Sequence, residues 1–326
     1  MSKKLAKSLV LILVLSFIFS ANPKNLSLEG DYCRILALEG GGDNGAYQAG
    51  ALKGLIENLQ VEDAQYDIIT GISLGAFNGA ILSTFPLGQE KQAVTIIENF
   101  WSTLQGKEIY KNWPLGVVEG FLTKESLYNN SVEFKKLESY FKDKKLYRSL
   151  FIGATNAVTA EYEYFDNEIL EKYGIAGAIM ATSALPPLFS SYSYIGNHYY
   201  DGSIKHSVDF ITGVNKCKEK GFTADKIVID LILCNSAHIS KFDKKNFHVL
   251  GSVMRLIEIL SFDGEEYDRE AFDRYFPDIK IRHFVIPSQE FPASKHPYEF
   301  DSNDIKFMLE LGYKDAVALF PKEKAQ

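Results

Sequence analysis

Apolar and polar residues along this chain alternate between two periods. Runs of nearly continuous apolar residues at 34–39, 66–70, 149–154, 226–233 and 279–286 have the length of buried strands. Longer stretches between them space their apolar residues three and four apart, as in the run from Ala46 to about Leu59. The last such stretch places Ile305, Met308, Leu309, Gly312, Ala316 and Leu319 on one helical face, with Asp301, Ser302 or Asn303 available to cap its start. Apolar strands alternating with helices predict a mainly parallel sheet covered on both sides, a three-layer α/β/α sandwich. One tract differs. Ser191 to Ile195 alternates, Gly196 and Asn197 form a turn, and His198 to Tyr200 returns, which predicts a hairpin ending at Asp201.

The first residues follow another pattern. A basic start (Lys3, Lys4, Lys7) precedes an apolar stretch from Ser8 to Phe19 and then Ser20–Ala21. This is the layout of a signal peptide over residues 1–21, with an apolar run short for a membrane span. The expected location is therefore secreted or endomembrane-lumenal, with one globular domain over 30–326; an uncleaved anchor is the alternative, because Phe19 suits the cleavage site poorly. Two Asn-x-Ser sequons, at Asn25 and Asn129, agree with that location. Cys33, Cys217 and Cys234 make no disulfide framework; at most one pair can form, and Cys234 reads as a buried small residue. The net charge of −7 argues against nucleic acid as a partner and against electrostatic attraction to anionic membranes.

Chemistry enters with Gly71-Ile72-Ser73-Leu74-Gly75, which follows a strand and opens a helix. A serine in the pattern Gly-x-Ser-x-Gly sits on a sharp strand-to-helix turn with its hydroxyl presented outward. Gly71 and Gly75 leave room where backbone segments approach closely. Read alone, the pattern fits a capping serine in a glycine-rich turn equally well. About thirty residues upstream, the strand ending at Glu39 runs through Gly40, Gly41, Gly42, Asp43, Asn44 and Gly45 into a helix. Such a loop gathers N–H groups at a helix N-terminus, where negative charge is stabilised, and in acyl transfer it forms an oxyanion hole. The same letters fit a dinucleotide fingerprint, but the next strand ends in the serine turn and not in the acidic residue that reading requires. The third element is Asp201-Gly202-Ser203, at the end of the predicted hairpin. It reads either as a turn former or as a carboxylate presented at the edge of the sheet.

In this order and spacing the three motifs resemble the patatin-like phospholipases, from about Tyr32 to Phe320. The approach Ala181 to Phe189 and the closing helix from Asn303 to Ala316 share in the resemblance. It implies a fatty-acyl ester hydrolase that uses a Ser–Asp dyad, with no histidine, metal or cofactor. Carried over by position, Ser73 is the nucleophile and Asp201 the dyad aspartate. Gly40, Gly41, Gly42, Asp43 and Gly45 form the oxyanion loop, Gly71 and Gly75 flank the nucleophile turn, and Gly202 and Ser203 support the aspartate. The implied partners are a lipid or acyl-ester substrate and a transient membrane or lipid-droplet surface.

Two positions depart from the family pattern. Asn44 stands where Lys or Arg is usual before the last glycine of the loop, which puts phospholipid preference in doubt. Ser203 replaces the usual Gly or Ala. A Ser–acid–His triad is the competing mechanism, drawing on His206, His238, His248, His283 or His296. Against it, the glycine loop and serine turn occupy consecutive strand–turn–helix units, and none of these histidines lies in a recognisable catalytic loop. His283 reads as a sheet-face residue and His296 as a solvated loop residue. Asp263, Glu265 and Glu266 read as a solvated helix end or loop, with no metal cluster. In the segment 105–145, Trp113, Phe121 and Tyr128, with Trp101 just before it, either line a lipid entrance or pack over the core, and packing is the expectation. The alternative to an enzyme is a non-catalytic lipid-binding or storage protein on the same scaffold.

Overall fold

The computed structural model describes residues 31–104, 109–235, 249–291 and 301–321. The predicted signal peptide, the Asn25 sequon, His238, His248 and His296 lie outside the described residues. The strands are β1 (Cys33–Leu38), β2 (Ile68–Ile72), β3 (Ser149–Asn156), β4 (Tyr162–Phe165), β5 (Tyr192–Tyr194), β6 (Asn197–Asp201), β7 (Ile227–Ile232) and β8 (Lys280–Val285). They form one sheet, hydrogen-bonded in the order β5-β6-β3-β2-β1-β7-β8, with β4 also on β3. The five strands β3, β2, β1, β7 and β8 run parallel, the first four mainly apolar and β8 interleaved with Lys280, Arg282 and His283. The hairpin β5–β6 and the short β4 join antiparallel.

Helices cover both faces. The alternating side chains of β1 divide the core, with Leu36 and Leu38 facing one layer and Cys33, Ile35 and Ala37 the other. The first layer holds α1 (Gly45–Asn58), α2 (Leu74–Ser83), α3 (Glu90–Thr103), α7 (Ile175–Thr182) and α10 (Ser302–Val317). Asp301 caps α10 by accepting from the Asn303 and Asp304 N–H groups. The opposite layer is built from α8 (Phe210–Glu219) and the long α9 (Val249–Tyr275), whose Phe210 and Phe272 rings meet edge to face. Three shorter helices complete the described chain: α4 (Val117–Thr123), α5 (Ser131–Phe141) and α6 (Asn167–Tyr173).

Two buried ties, one covalent and one ionic, hold the sheet. Cys33 in β1 and Cys217 in α8 form a disulfide, while Cys234 is a buried free thiol, as its apolar setting predicts. Asp230 of β7 accepts from the Tyr66 hydroxyl at 2.7 Å and from Arg282 Nε at 2.9 Å, and pairs with His283. Burial would raise the Asp230 pKa, but Arg282 and His283 outweigh it and hold the carboxyl well below the usual carboxylate range. The cluster Asp263, Glu265 and Glu266 is not a helix end. It lies in the middle of α9, where Glu265 is 5% exposed and burial pushes its carboxyl up to about 7.

Candidate active site

Strand β2 is buried along its whole length and ends one residue before Ser73. Ser73 caps α2 with φ 52° and ψ −125°, a backbone conformation that a non-glycine residue holds only when its surroundings impose it. The surroundings are specific. The Ser73 N–H donates to Thr182 Oγ1 at 2.9 Å, and the Thr182 hydroxyl in turn donates to the Gly153 carbonyl. The Ser73 carbonyl accepts from Ala76 and Phe77 and so starts the helix. Any side chain at Gly75 would lie 2.4 Å from the Glu39 carbonyl oxygen, and one at Gly71 would lie 2.6 Å from Ala76 Cα. The two flanking glycines are therefore required by backbone contact.

The sheet register brings Asp201 to this turn. Gly153 of β3 pairs with Ile72 on one edge and with Tyr164 of β4 on the other. The next residue, Ala154, pairs with Asp201 of β6 and with Glu163 of β4. Because β4 occupies one edge throughout, β2 and β6 meet end to end along the other, and Ser73 and Asp201 terminate adjoining strands. A Cβ at Gly202 would lie 2.5 Å from the Gly153 carbonyl oxygen and 3.0 Å from Ile72 Cγ2, which shows how tightly the two ends close.

Asp201 is 2% exposed. Its Oδ1 accepts from the Ser203 N–H at 2.9 Å and from Ser203 Oγ at 2.7 Å. Burial raises its pKa from 3.8 to about 6, opposed by the two Ser203 hydrogen bonds and by one from the Ser73 hydroxyl. The short contacts to the carboxylate are those of Ser203, and the Ser73 hydroxyl is the weakest of the three influences. Among the described histidines, His206 pairs with Asp268 and His283 with Asp230, while His198 lies against Ser191. None of these contacts connects a histidine to Ser73.

The glycine loop lies against the same turn, with Gly40 close enough that an added Cβ would touch Ser73 Cβ at 3.3 Å. Its N–H groups are not equivalent. Gly40 donates to the Ser207 carbonyl at 3.1 Å and Gly45 donates to the Gly42 carbonyl. Of the five residues expected to line an oxyanion hole, these two contribute shape but no free donor. The N–H groups of Gly41 and Gly42, with that of Leu74 at the first position of α2, have no acceptor among the described residues. Asn44 Nδ2 donates to the Cys234 carbonyl at 3.3 Å, so the residue at the basic position ties the loop to the end of β7. Burial pushes the Asp43 carboxyl up to about 6, and Asp304 adds to the effect.

Sequence reasoning missed the buried polar network beneath the loop. Trp101 Nε1 donates to Asn78 Oδ1, and Asn78 Nδ2 donates to the Gly45 carbonyl and to Gln48 Oε1. Gln48 Nε2 passes the chain on to the Glu39 carbonyl at 3.1 Å. The Glu39 carboxylate accepts from the Cys234 N–H and from the side chain and N–H of Asn235. Its pKa stands well above 4.5 because of burial, and nearby Glu265 raises it further. A cue was present: Gln48 and Asn78 are lone amides in otherwise small and apolar helix faces, and a buried amide needs partners. Trp101, fully buried here, is core and not entrance.

One cavity adjoins the turn, and a second lies beside helix α7. Leu74 lines one of about 40 Å³, with Phe77, Phe100, Leu104 and Leu137. The other, of about 290 Å³, lies between Trp113, Tyr128, Phe134, Lys135, Met180 and Tyr192. Among the described residues, no group of three or more His, Cys, Asp or Glu is placed to hold a metal ion.

Residues 36–212 match the family described as patatin-like phospholipase. The chain belongs to this family. Its patatin-like segment carries the glycine loop, the serine turn and Asp201. A protein named probable lipid hydrolase 463L, from Invertebrate iridescent virus 6, is 25% identical over 197 residues, which is 56% of this chain and 64% of that protein. The chain thus spans less than two thirds of that relative. Among solved structures, VipD from Legionella pneumophila aligns over 89% of this chain and 66% of its own, at 13% identity and a TM-score of 0.41. The type III effector protein ExoU aligns over 72% of this chain and 52% of its own, at 12% identity and a TM-score of 0.28.

Proposed function

We propose that this patatin-like protein is a lipid acyl hydrolase of the serine type. Ser73 Oγ attacks the ester carbonyl and Asp201 accepts its proton. The alkoxide of the lipid leaves with a proton, and water then releases the fatty acid from the acyl-serine. The observation that carries this reading is the meeting of β2 and β6 on one edge of β3, which seats a strained Ser73 beside a buried carboxylate. An ordinary aspartate is a feeble base; one pushed up to about 6 by burial is a better base and is still mostly ionised at neutral pH. Charge developing on the ester oxygen has Gly41, Gly42 and Leu74 N–H groups as its available donors, at the positive end of α2. The cavity beside Leu74 offers apolar walls to the first carbons of an acyl chain.

Treatment of the purified chain with a fluorophosphonate, followed by peptide mapping, tests the reading. The expected adduct is on Ser73 and is absent from Ser73→Ala. An unmodified Ser73 in folded protein, with lipid still bound, would favour the non-catalytic lipid-binding scaffold instead.

A further inference from the structure

Helix α4 is built inside out. Its one buried position is Gly120, where an added Cβ would lie 2.6 Å from the Ser126 carbonyl oxygen and 2.8 Å from that of Leu127. That contact turns the large residues outward: Val118 is 61%, Phe121 77% and Leu122 70% exposed, and Leu115 just before the helix is 78% exposed. The sequence expectation that Phe121 packs over the core is therefore not met. Polar groups at both ends of the helix nonetheless have partners. Leu115 N–H donates to Glu119 Oε2 at 3.0 Å, Glu119 pairs with Lys124, and the Trp113 indole N–H donates to the Ser126 carbonyl at 3.0 Å. A short helix whose large apolar side chains face outward is suited to an apolar phase and costs free energy in water.

The surrounding charge fits one kind of phase. The chain carries a net charge of −7, but residues 109–145 hold seven lysines against five acidic residues. One of those five, Glu133, is buried, and burial pushes its carboxyl up to about 8. Lys124 Nζ stands 5.1 Å from the centre of the Trp113 ring, and Lys111 and Lys135 are exposed nearby in sequence. Apolar side chains beside a tryptophan and lysines are arranged as in segments that enter a headgroup layer. Trp113 and Lys135 also line the 290 Å³ cavity, whose wall includes Met180, two residues before the Thr182 that holds the Ser73 N–H.

We propose that the face formed by Leu115, Val118, Phe121 and Leu122, with its lysine rim, docks on an anionic phospholipid surface and brings the cavity mouth to the lipid. The proposal deepens the lipid hydrolase reading, although docking itself requires no turnover. The test uses the full chain carrying Ser73→Ala and flotation with vesicles of phosphatidylcholine containing phosphatidylserine. Adding Leu115→Ser, Phe121→Ser and Leu122→Ser is expected to lower vesicle partitioning by about a hundredfold. Lys124→Ala with Lys135→Ala is expected to remove the preference for phosphatidylserine. The same triple substitution in the Ser73 protein should keep its Tm and its turnover of a soluble monomeric ester. Unchanged flotation of the triple variant, or no flotation of the parent, overturns the proposal. So does a dimer that the triple variant abolishes, which would make a second copy the occupant. Flotation without a fluorophosphonate adduct would retain the surface and remove the hydrolase reading.

Discussion

Replacing Asp201 by Asn should abolish turnover and also change how stability depends on pH. The carboxyl ordinarily titrates near 3.8 and in the fold at about 6, because it is 2% exposed. The folded protein thus holds this proton more tightly than the unfolded chain, so the associated stability is complete below about pH 4 and is lost as pH rises through about 6. The full difference corresponds to about 3 kcal/mol, of which about 2 kcal/mol separates pH 4.5 from pH 7.5. Asn has the same shape, and its side-chain oxygen can still accept from the Ser203 N–H and hydroxyl, so any loss from the exchange itself is nearly constant with pH. Relative to the parent, Asp201→Asn is therefore expected to gain about 2 kcal/mol between pH 4.5 and pH 7.5, read from urea unfolding at both values. Other titrating groups contribute equally to both proteins and cancel. A stability difference independent of pH would mean that the carboxyl is not raised, and the argument for its basicity would fall with it.

Three further outcomes follow from the same geometry. Ser73→Ala, Asp201→Asn and the double variant should each lose about 10⁴-fold or more in kcat and share one residual rate, since the base acts only through the nucleophile; turnover in folded Asp201→Asn would assign activation of Ser73 to another group. Asn44→Arg gives up the link to the Cys234 carbonyl but restores a cation, and should raise phospholipid turnover relative to a nitrophenyl ester about fivefold, the equivalent of roughly 1 kcal/mol; an unchanged ratio would show that charge at this position does not set preference. The Cys33–Cys217 bridge joins residues 184 apart, so Cys33→Ala with Cys217→Ala should cost about 5 kcal/mol by loop-closure entropy, seen as a lower midpoint of urea unfolding; equal midpoints would mean that the bridge constrains nothing.

How much was legible in the sequence depended on how local its cause was. The five parallel strands were expected to within two residues of where they lie, because the four buried on both faces need apolar runs and the half-buried β8 still keeps Ile281, Phe284 and Val285. The serine turn was legible for a related reason: only glycine fits on either side of it. Strand β4 was not anticipated, since Tyr162–Phe165 is four residues long and exposes Tyr164, and only pairing with β3 makes it a strand. The oxyanion loop was read as a set of equivalent donors. Which N–H groups are already used depends on the Ser207 carbonyl and on the turn within the loop, and no periodicity encodes those contacts. Glu265 of α9 was misread for the same reason, because exposure of a charged residue is decided by what packs against it, whereas its neighbours Asp263 and Glu266 are exposed as expected.

The same asymmetry explains how the site is held. Asp268, on the far layer, accepts from the N–H groups of Ser207 and Val208 and bonds His206, and so fixes the short segment after Asp201. The Ser207 carbonyl, held in this way, takes the Gly40 N–H and anchors the first glycine of the loop. From the other side, Trp101, Asn78 and Gln48 hold the Gly45 and Glu39 carbonyls at the two ends of that loop. The loop that borders Ser73 is thus clamped by groups from both helical layers, and none of those groups is in a recognisable motif. A dyad with one weak base depends on donors that do not have to reorganise as charge develops. A buried, fully partnered polar network is the means a sheet protein has of keeping a glycine-rich loop rigid, because the glycines themselves supply no side-chain packing. The motif residues supply the reacting groups, while the buried amides and carboxylates away from the motifs decide whether those groups stay in place.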